Sequence, residues 1–173
     1  APDFSLASLG GQTVQLSAFT GRPVLLNFFT TWCGYCKAEM PDLQSLHARY
    51  AKEGLVVIGV DLEDPTQEVK DFARETRVSF PILLDPKNKV GGLYGVNSYP
   101  RTFFIRPDGT IHRVLMGSTD KSRLESYVGE IMAFPRTPTA TPGRTSTPSA
   151  SARGSADGRG EESVPAQAGP KQR

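Results

Sequence analysis

Residues 23–40 read PVLLNFFTTWCGYCKAEM, and this stretch carries the strongest structural signal in the chain. It begins with an apolar run, Val24 to Phe29, of the kind that forms a strand covered on both faces. The residues after Cys36 are good helix formers and predict a helix. Cys33 and Cys36, the two cysteines of the chain, therefore lie where a strand passes into a helix, and their spacing allows a small disulfide there.

The start of a helix favours thiolate chemistry. Free backbone N–H groups and the positive end of the helix dipole stabilise an anion at this point. Sites of this kind lower the pKa of a cysteine from about 8.5 to roughly 3.5–7.5. Because Cys33 is nearer to the helix N-terminus than Cys36, we expect it to feel the effect most. The pattern predicts a redox-active disulfide that needs no other cofactor.

A structural bridge, a zinc site and haem attachment are the alternatives to a redox pair. A bridge that closes so short a loop removes little entropy from the unfolded chain. Zinc sites need four ligands, and the two histidines, His47 and His112, show no ligand spacing. Haem attachment needs a histidine where Lys37 stands. We therefore predict no metal at this pair.

The rest of the first 134 residues alternates predicted strands with predicted helices. The predicted strands are residues 13–16, 24–29, 55–61, 80–84, 102–105 and 111–115. The predicted helices run from Cys33 to Gly54, start at residues 63–65, and cover residues 90–94 and 124–131. A turn signal, RPDGT at residues 106–110, joins the last two strands as a hairpin. This order predicts an α/β fold with a mixed sheet and helices on both faces.

Composition divides the chain into a domain, residues 1–134, and a tail, residues 135–173. The tail is rich in Pro, Thr, Ser, Gly and Ala, and Val164 is its one large aliphatic residue. We predict that it is disordered, because it buries too little apolar area to offset the entropy of ordering; a glycosylated or wall-spanning spacer stays open. The domain keeps 14 of the 20 Lys/Arg and 15 of the 18 Asp/Glu, so we expect no binding to nucleic acid.

Four stretches of the first 132 residues carry a family resemblance. They are PDFSL at residues 2–6, GRPVLLNF at 21–28, WCGYCKAEMP at 32–41 and YPRTFFI at 99–105. Together they resemble the TlpA/ResA-like thiol–disulfide oxidoreductases, which have the thioredoxin fold and are related to the AhpC/TSA proteins. The resemblance implies a thioredoxin-like mixed sheet with an extra N-terminal strand and a central αβ insertion.

The resemblance assigns catalytic roles to three residues. Cys33 would be the exposed attacking thiol and Cys36 the buried thiol that resolves the mixed disulfide, an order with which the helix dipole agrees. Glu39 would be a buried acid that handles the proton of the inner thiol. Desolvation would raise its pKa and suit it to proton exchange near neutral pH. An ordinary first-turn glutamate, favoured by the dipole, stays open as the alternative.

The predicted substrate-binding set is Trp32, Gly34, Tyr35, Tyr99 and Pro100. By the resemblance, Pro100 follows a cis peptide bond and faces the sulfurs, which leaves the backbone of Tyr99 free to pair with an extended partner chain. Trp32 is expected to pack beside the disulfide and shield it, with substrate contact as the alternative. The bulky Tyr99 is expected to narrow the groove and restrict the partners.

One departure from the family pattern affects the redox potential. The family often has a proline between its cysteines, whereas this chain has Gly34 and Tyr35. Loss of that proline leaves an extra backbone donor near Cys33. We therefore predict a potential less reducing than the about −270 mV of thioredoxin but short of the about −120 mV of DsbA.

The resemblance implies a dithiol–disulfide oxidoreductase outside the cytoplasm, in the periplasm or cell envelope. No apolar run reaches the roughly 18 residues of a membrane span. The chain opens at Ala1 close to the predicted start of the fold; a removed leader or membrane anchor would explain this, and a shortened cytosolic protein stays open as the alternative. The expected partners are protein thiols and disulfides, including those of cytochrome c maturation, and an upstream membrane electron donor. We expect a monomer that acts as a reductase.

Other functions stay open. The same residues running in reverse would make a disulfide oxidase, and disulfide isomerisation is a further alternative. Thiol peroxidases of the peroxiredoxin type, which share this fold, have the pattern Pro-x-x-x-Thr/Ser-x-x-Cys. Thr30 matches the threonine of that pattern, but Leu26 stands in place of its proline. A copper-handling module would add a histidine to the two thiolates, although copper proteins of that type space their cysteines more widely.

Overall fold

The computed structural model describes residues 1–135, so the predicted disorder of the tail lies outside the described residues. The strands are β1 (Ser5–Ser8), β2 (Thr13–Gln15), β3 (Val24–Phe29), β4 (Val56–Leu62), β5 (Ile82–Asp85), β6 (Arg101–Ile105) and β7 (Ile111–Met116). The α-helices are α1 (Gly34–Tyr50), α2 (Thr66–Thr76), α3 (Lys89–Leu93) and α4 (Lys121–Met132). Short 3-10 turns cover Leu16–Phe19 and Ala51–Glu53. No helix in this part of the chain is long and apolar enough to cross a membrane.

The seven strands form one mixed sheet in the order β2-β1-β5-β4-β3-β6-β7. Strands β3, β4 and β5 are parallel, and the other neighbours pair antiparallel. Every residue of β3 and β4 is buried, as expected for central strands with both faces covered. Strand β3 lies inside the sheet, next to the middle strand β4. Helix α1, which follows β3, therefore begins beside the ends of the interior strands.

The two faces of the sheet are covered unequally. Helices α1, α2 and α4 pack on one face, where Leu25 and Phe29 of β3 meet Met40, Phe72 and Val128. The other face is covered by the short helix α3 and the N-terminal segment. Its core includes Phe4, Leu16, Leu26, Phe28, Ile58 and Tyr94. The predicted α/β fold with helices on both faces is confirmed.

The N-terminal region contains one strand more than the pattern predicted. Strand β1 pairs with β2 as a hairpin and joins the main sheet through β5, where Ala7 pairs with Leu84. The sequence analysis missed β1 because it is four residues long and half-exposed, with no apolar run of its own. The predicted αβ insertion is present as α2 and β5, which lie between β4 and α3 in the chain.

Several predicted boundaries differ from the structure by a few residues, among them those of α1, α2 and β5. Helix α1 ends at Tyr50, and the left-handed Gly54 (φ 102°) ends the 3-10 turn that follows it. Helix α2 begins at Thr66, with Pro65 as its cap residue. Strand β5 begins at Ile82 because the preceding Pro81 has no N–H to donate to a neighbouring strand.

Candidate active site

Cys33 and Cys36 form a disulfide at the N-terminus of α1, with their Cα atoms 5.2 Å apart. Cys33 is the cap residue of the helix, and its sulfur accepts a hydrogen bond from the backbone N–H of Cys36 at 3.1 Å. The predicted strand-to-helix junction is confirmed, since β3 ends at Phe29 and α1 begins at Gly34. A sulfur in this position can be stabilised as a thiolate by the Cys36 N–H and the helix dipole.

The two sulfur-bearing residues differ in exposure. Cys33 is 8% exposed and Cys36 is 1% exposed, and both belong to the apolar cluster beneath α1. The order therefore agrees with the resemblance, although Cys33 is far less exposed than an open surface thiol. A partner must approach closely to reach it.

Exposed aromatic residues flank the disulfide. Trp32 is 72% exposed and Tyr35 is 73% exposed. The Trp32 ring lies at the surface and makes an edge-to-face contact to Tyr99 at 5.9 Å between centroids, and its shielding of the disulfide stays a prediction. A Cβ atom added at Gly34 would meet nothing within 4 Å. Trp32, Gly34 and Tyr35 thus leave an open approach beside the disulfide.

The segment before β6 lies against this approach through Tyr99. The Tyr99–Pro100 peptide bond is cis, as the resemblance implies. The carbonyl of Pro100 accepts a hydrogen bond from the backbone N–H of Gly117 at 2.8 Å. No hydrogen bond to the backbone N–H or C=O of Tyr99 is found among the described residues. The Tyr99 side chain is half-buried and packs against both core clusters.

Glu39 is a buried acid in the second turn of α1. It is 3% exposed, and burial raises its pKa to about 7. Two weak hydrogen bonds oppose that rise: the backbone N–H of Thr119 donates at 3.4 Å and the Asn27 amide at 3.3 Å. The alternative of an ordinary solvated first-turn glutamate is wrong, because this side chain lies beyond the first turn and away from water.

The sequence analysis missed the polar residues behind Glu39. Asn27 lies in the middle of β3 and is 1% exposed, and its amide also donates to the hydroxyl of Thr102 on β6 at 2.8 Å. The Asn27 carbonyl oxygen has no partner within the described residues. A polar residue inside an apolar strand was the available signal, because buried polar groups are uncommon and need partners.

A second buried acid was also missed. Asp61 is 1% exposed at the end of β4, and burial raises its pKa to about 8, with the neighbouring Asp64 as the next cause. Asp64 accepts a hydrogen bond from the backbone N–H of Thr31, two residues before Cys33. The signal in the sequence was an aspartate within the run LVVIGVDL, residues 55–62.

Neither histidine joins the cysteines. Within residues 1–135, no group of three or more His, Cys, Asp or Glu residues is close enough to hold a metal ion. His112 contacts Arg106 and Glu130, and the ring of His47 packs edge-on against Phe80.

Comparisons with known proteins agree with this geometry. Residues 1–114 match the AhpC/TSA family. The thiol-disulfide oxidoreductase ResA of Oceanobacillus iheyensis is 39% identical over 135 residues, which cover 76% of this chain and 70% of the relative. ResA of Bacillus anthracis is 34% identical over 131 residues, which cover 76% of each chain.

Solved structures give the same result. A protein from Chlorobium tepidum assigned as the thiol:disulfide interchange protein DsbE has a TM-score of 0.73 and 33% identity, covering 76% of this chain and 94% of that one. A secreted Mycobacterium tuberculosis disulfide oxidoreductase homologous to Escherichia coli DsbE has a TM-score of 0.68 and 25% identity, covering 73% and 95%. The chain therefore belongs to the AhpC/TSA family and is a thioredoxin-fold thiol–disulfide oxidoreductase of the ResA type.

Proposed function

We propose that this protein reduces disulfides in other proteins outside the cytoplasm, with Cys33 and Cys36 as its redox centre and no other cofactor. One observation carries the proposal: a disulfide at a helix N-terminus, graded in exposure from Cys33 to Cys36, next to a buried acid, Glu39, whose pKa lies near neutrality. The expected reaction is transfer of two electrons and two protons from the dithiol to a substrate disulfide.

The reaction proceeds through a mixed disulfide. The Cys33 thiolate attacks one sulfur of the substrate disulfide; that S–S bond breaks, and the other substrate sulfur leaves as a thiolate and takes up a proton. The Cys36 thiolate then attacks the Cys33 sulfur, which re-forms the Cys33–Cys36 disulfide and releases the second substrate thiol. The Cys36 N–H and the helix dipole support the first step because both stabilise negative charge on Cys33.

Glu39 is suited to take the proton from Cys36. It lies three residues after Cys36 on α1, so the two side chains share a face of the helix, and both are buried. A carboxylate with a pKa of about 7 can accept a proton and return it at neutral pH. Thr119 and Asn27 hold the carboxylate through their hydrogen bonds.

The substrate would lie across the Trp32, Gly34 and Tyr35 surface beside the segment Tyr99–Pro100. The exposed rings offer apolar contact, and the unpaired backbone groups of Tyr99 can bond to an extended chain by strand addition. This arrangement recognises the backbone near a cystine more than its side chains. It supports protein thiols and disulfides as the substrate class.

The direction, place and partners of the reaction belong to the same proposal. The similarity to ResA and to a secreted DsbE homologue supports a location outside the cytoplasm. There the protein would act as a monomer, receive electrons from a membrane donor, and keep envelope thiols or the cysteines of apocytochrome c reduced.

Insulin reduction tests the activity. Protein reduced with dithiothreitol and freed of reductant should reduce insulin, Cys33→Ser should not, and Cys36→Ser should accumulate a one-to-one mixed disulfide on a non-reducing gel. Failure of the wild-type protein to reduce insulin would overturn the proposal. Rapid turnover of hydrogen peroxide as sole acceptor would instead favour the peroxidase alternative.

Trapping in cells tests the partners. Cys36→Ser expressed in the native host, with a tag and Cys33→Ser as the matched control, should capture envelope proteins or apocytochromes through Cys33. Capture of cytoplasmic proteins alone would contradict the proposed location.

A further inference from the structure

We propose that Asp61 is a positioning residue for the loop that carries Cys33: it holds Asp64 through a shared proton, and Asp64 holds the backbone N–H of Thr31. The inference rests on the proposed function, since it concerns the same redox site. It assigns a role to a buried acid on a different strand from the one that leads into α1.

The position of Asp61 is set by the register of the sheet. Asp61 pairs with Phe29, the last residue of β3, so it lies beside the start of the loop to α1. Asp61 lies on the same face of β4 as Gly59 and Val57, and Val57 packs in the core beneath α1. Its side chain is buried, and its Oδ1 atom has no partner within the described residues. Such a group needs a structural or functional reason to stay there.

The reason lies in its contact with Asp64. The two carboxyl groups are within hydrogen-bonding range of each other. Two carboxylates at this distance repel, so one must carry a proton. The deeper group carries it, because burial, the Asp64 contact and the charge of Glu68 all raise the pKa of Asp61, to about 8. At neutral pH, Asp61 therefore donates its O–H to Asp64.

Asp64 transmits this contact to the loop. Its Oδ2 atom accepts the hydrogen bond from the Thr31 N–H, in the segment of residues 30–33 between β3 and α1. Within that segment the Cys33 N–H donates to the carbonyl of Thr30 at 3.3 Å. Asp64 therefore holds the middle of the loop, while β3 and α1 hold its ends. Trp32 follows directly and contacts Tyr99.

The charged groups around Asp61 make this device sensitive to pH. The loop before α2 brings Asp64, and α2 brings Glu68, both of which raise its pKa. The segment before β6 brings Tyr99, whose pKa is raised by burial and by the charges of Glu63 and Asp64. Cys33 and Cys36 add no charge in the oxidised protein, because they are joined as a disulfide.

On β5 the nearest ionisable neighbour is Asp85, whose carboxylate accepts hydrogen bonds from the backbone N–H groups of Lys89, Val90 and Gly91. The charges that act on Asp61 in the described structure are therefore acidic. Loss of its proton leaves two carboxylates facing each other, which drives the half-buried Asp64 toward solvent and releases the Thr31 N–H.

The fluorescence of Trp32, the single tryptophan of the chain, tests the proposal in the oxidised protein, where no thiol titrates. A Glu39→Gln background removes the other buried acid that titrates near neutrality. In that background we expect a fluorescence transition between pH 6 and 9.5 with its midpoint near 8. In Glu39→Gln/Asp61→Asn the transition should be lost, because an asparagine amide donates to Asp64 without titrating.

Persistence of the transition in the double variant, or its absence in Glu39→Gln, would overturn the proposal. If Asp61→Asn does not fold, Glu39→Gln/Asp64→Asn serves instead: it keeps an acceptor for Thr31 but removes the facing charge, so the midpoint should move to lower pH, and an unchanged midpoint counts against the proposal. The measurement uses no substrate. A protein that shows the transition yet fails to reduce insulin would disprove the proposed function alone.

Discussion

Opposite ends of the sheet both carry clusters of polar side chains, but the carboxyl groups in the two clusters differ in whether a cation pairs with them. At the end away from the disulfide, Glu130 on α4 bonds to His112 and Arg113 of β7, and Arg106 donates to His112. Arg113 and then His112 lower the pKa of Glu130. At the disulfide end, Glu39 and Asp61 are buried and no cation within residues 1–135 lowers their pKa values, which burial raises.

The difference separates a structural cluster from a functional one. A paired carboxylate stays ionised across the physiological range and contributes to how α4 sits on the sheet. An unpaired, desolvated carboxyl group costs stability when it ionises, but it can exchange a proton near neutral pH. Both acids lie at the end that carries the disulfide, which supports the proposed proton exchange by Glu39 and the proposed positioning of the loop by Asp61.

Replacing the acid at each end should reveal the largest functional difference between the two clusters. Glu39→Gln should lower the rate of insulin reduction at pH 7 by about 10²–10⁴-fold, the range for loss of a general acid–base group, and should flatten the pH profile near 7. Glu130→Gln is the matched control at the other end and should leave the rate within about twofold. Stopped-flow kinetics of both variants would measure this. Equal loss in the two variants would contradict the catalytic role of Glu39.

The two ends should also respond oppositely to pH in stability. The pKa of Glu39 is higher in the folded than in the unfolded chain. Its contribution to the free energy of unfolding is therefore greatest below about pH 4.5 and is lost as the pH rises to about 7. In Glu39→Gln, the free energy of unfolding should therefore fall less between pH 4.5 and 7, by up to about 3 kcal/mol. Glu130 has a lowered pKa, so its contribution is lost as the pH falls.

Denaturant unfolding of the oxidised protein between pH 4 and 8 would measure both slopes. Asp61 acts in the same direction as Glu39 up to about pH 8, so a smaller slope should remain in Glu39→Gln. A wild-type protein whose stability rises between pH 4.5 and 7 would contradict the assignment.

The two cysteines should differ in reactivity within the active end itself. In the reduced protein, iodoacetamide below pH 8 should alkylate Cys33 at least about tenfold faster than Cys36, because Cys33 is more exposed and nearer to the helix dipole. Mass spectrometry of the labelled peptides measures the ratio. Equal, slow labelling of both thiols would contradict the assigned order.

The smallest expected effect concerns the residues between the cysteines. Tyr35→Pro should make the redox potential more negative by roughly 30 mV, which corresponds to about 1.4 kcal/mol, because proline removes one backbone donor near the Cys33 thiolate. Tyr35 is exposed, so Tyr35→Ala is the matched control for loss of the ring. Equilibration with glutathione measures both. A wild-type potential at or below that of thioredoxin would count against the prediction.

Much of the fold could be predicted because its signals are local. The apolar runs of β3 and β4 predicted buried central strands, and the turn at residues 106–110 predicted the β6–β7 hairpin. Strand β1 was missed because it is short and half-exposed, and because its pairing with β5 joins residues about 75 positions apart in the chain. The contact between Trp32 and Tyr99 was not predicted, because the two residues lie far apart in the sequence.

The position of the redox pair at the start of a helix follows from local sequence signals, because cysteine spacing, an apolar strand and helix propensity all act over a few residues. Which carboxyl groups are desolvated depends on contacts between distant parts of the chain. Burial of Glu39 depends on Asn27 of β3 and Thr119 before α4, and burial of Asp61 depends on sheet register and on Asp64. Desolvation is a property of the assembled surroundings, and it sets the pKa values on which proton transfer depends.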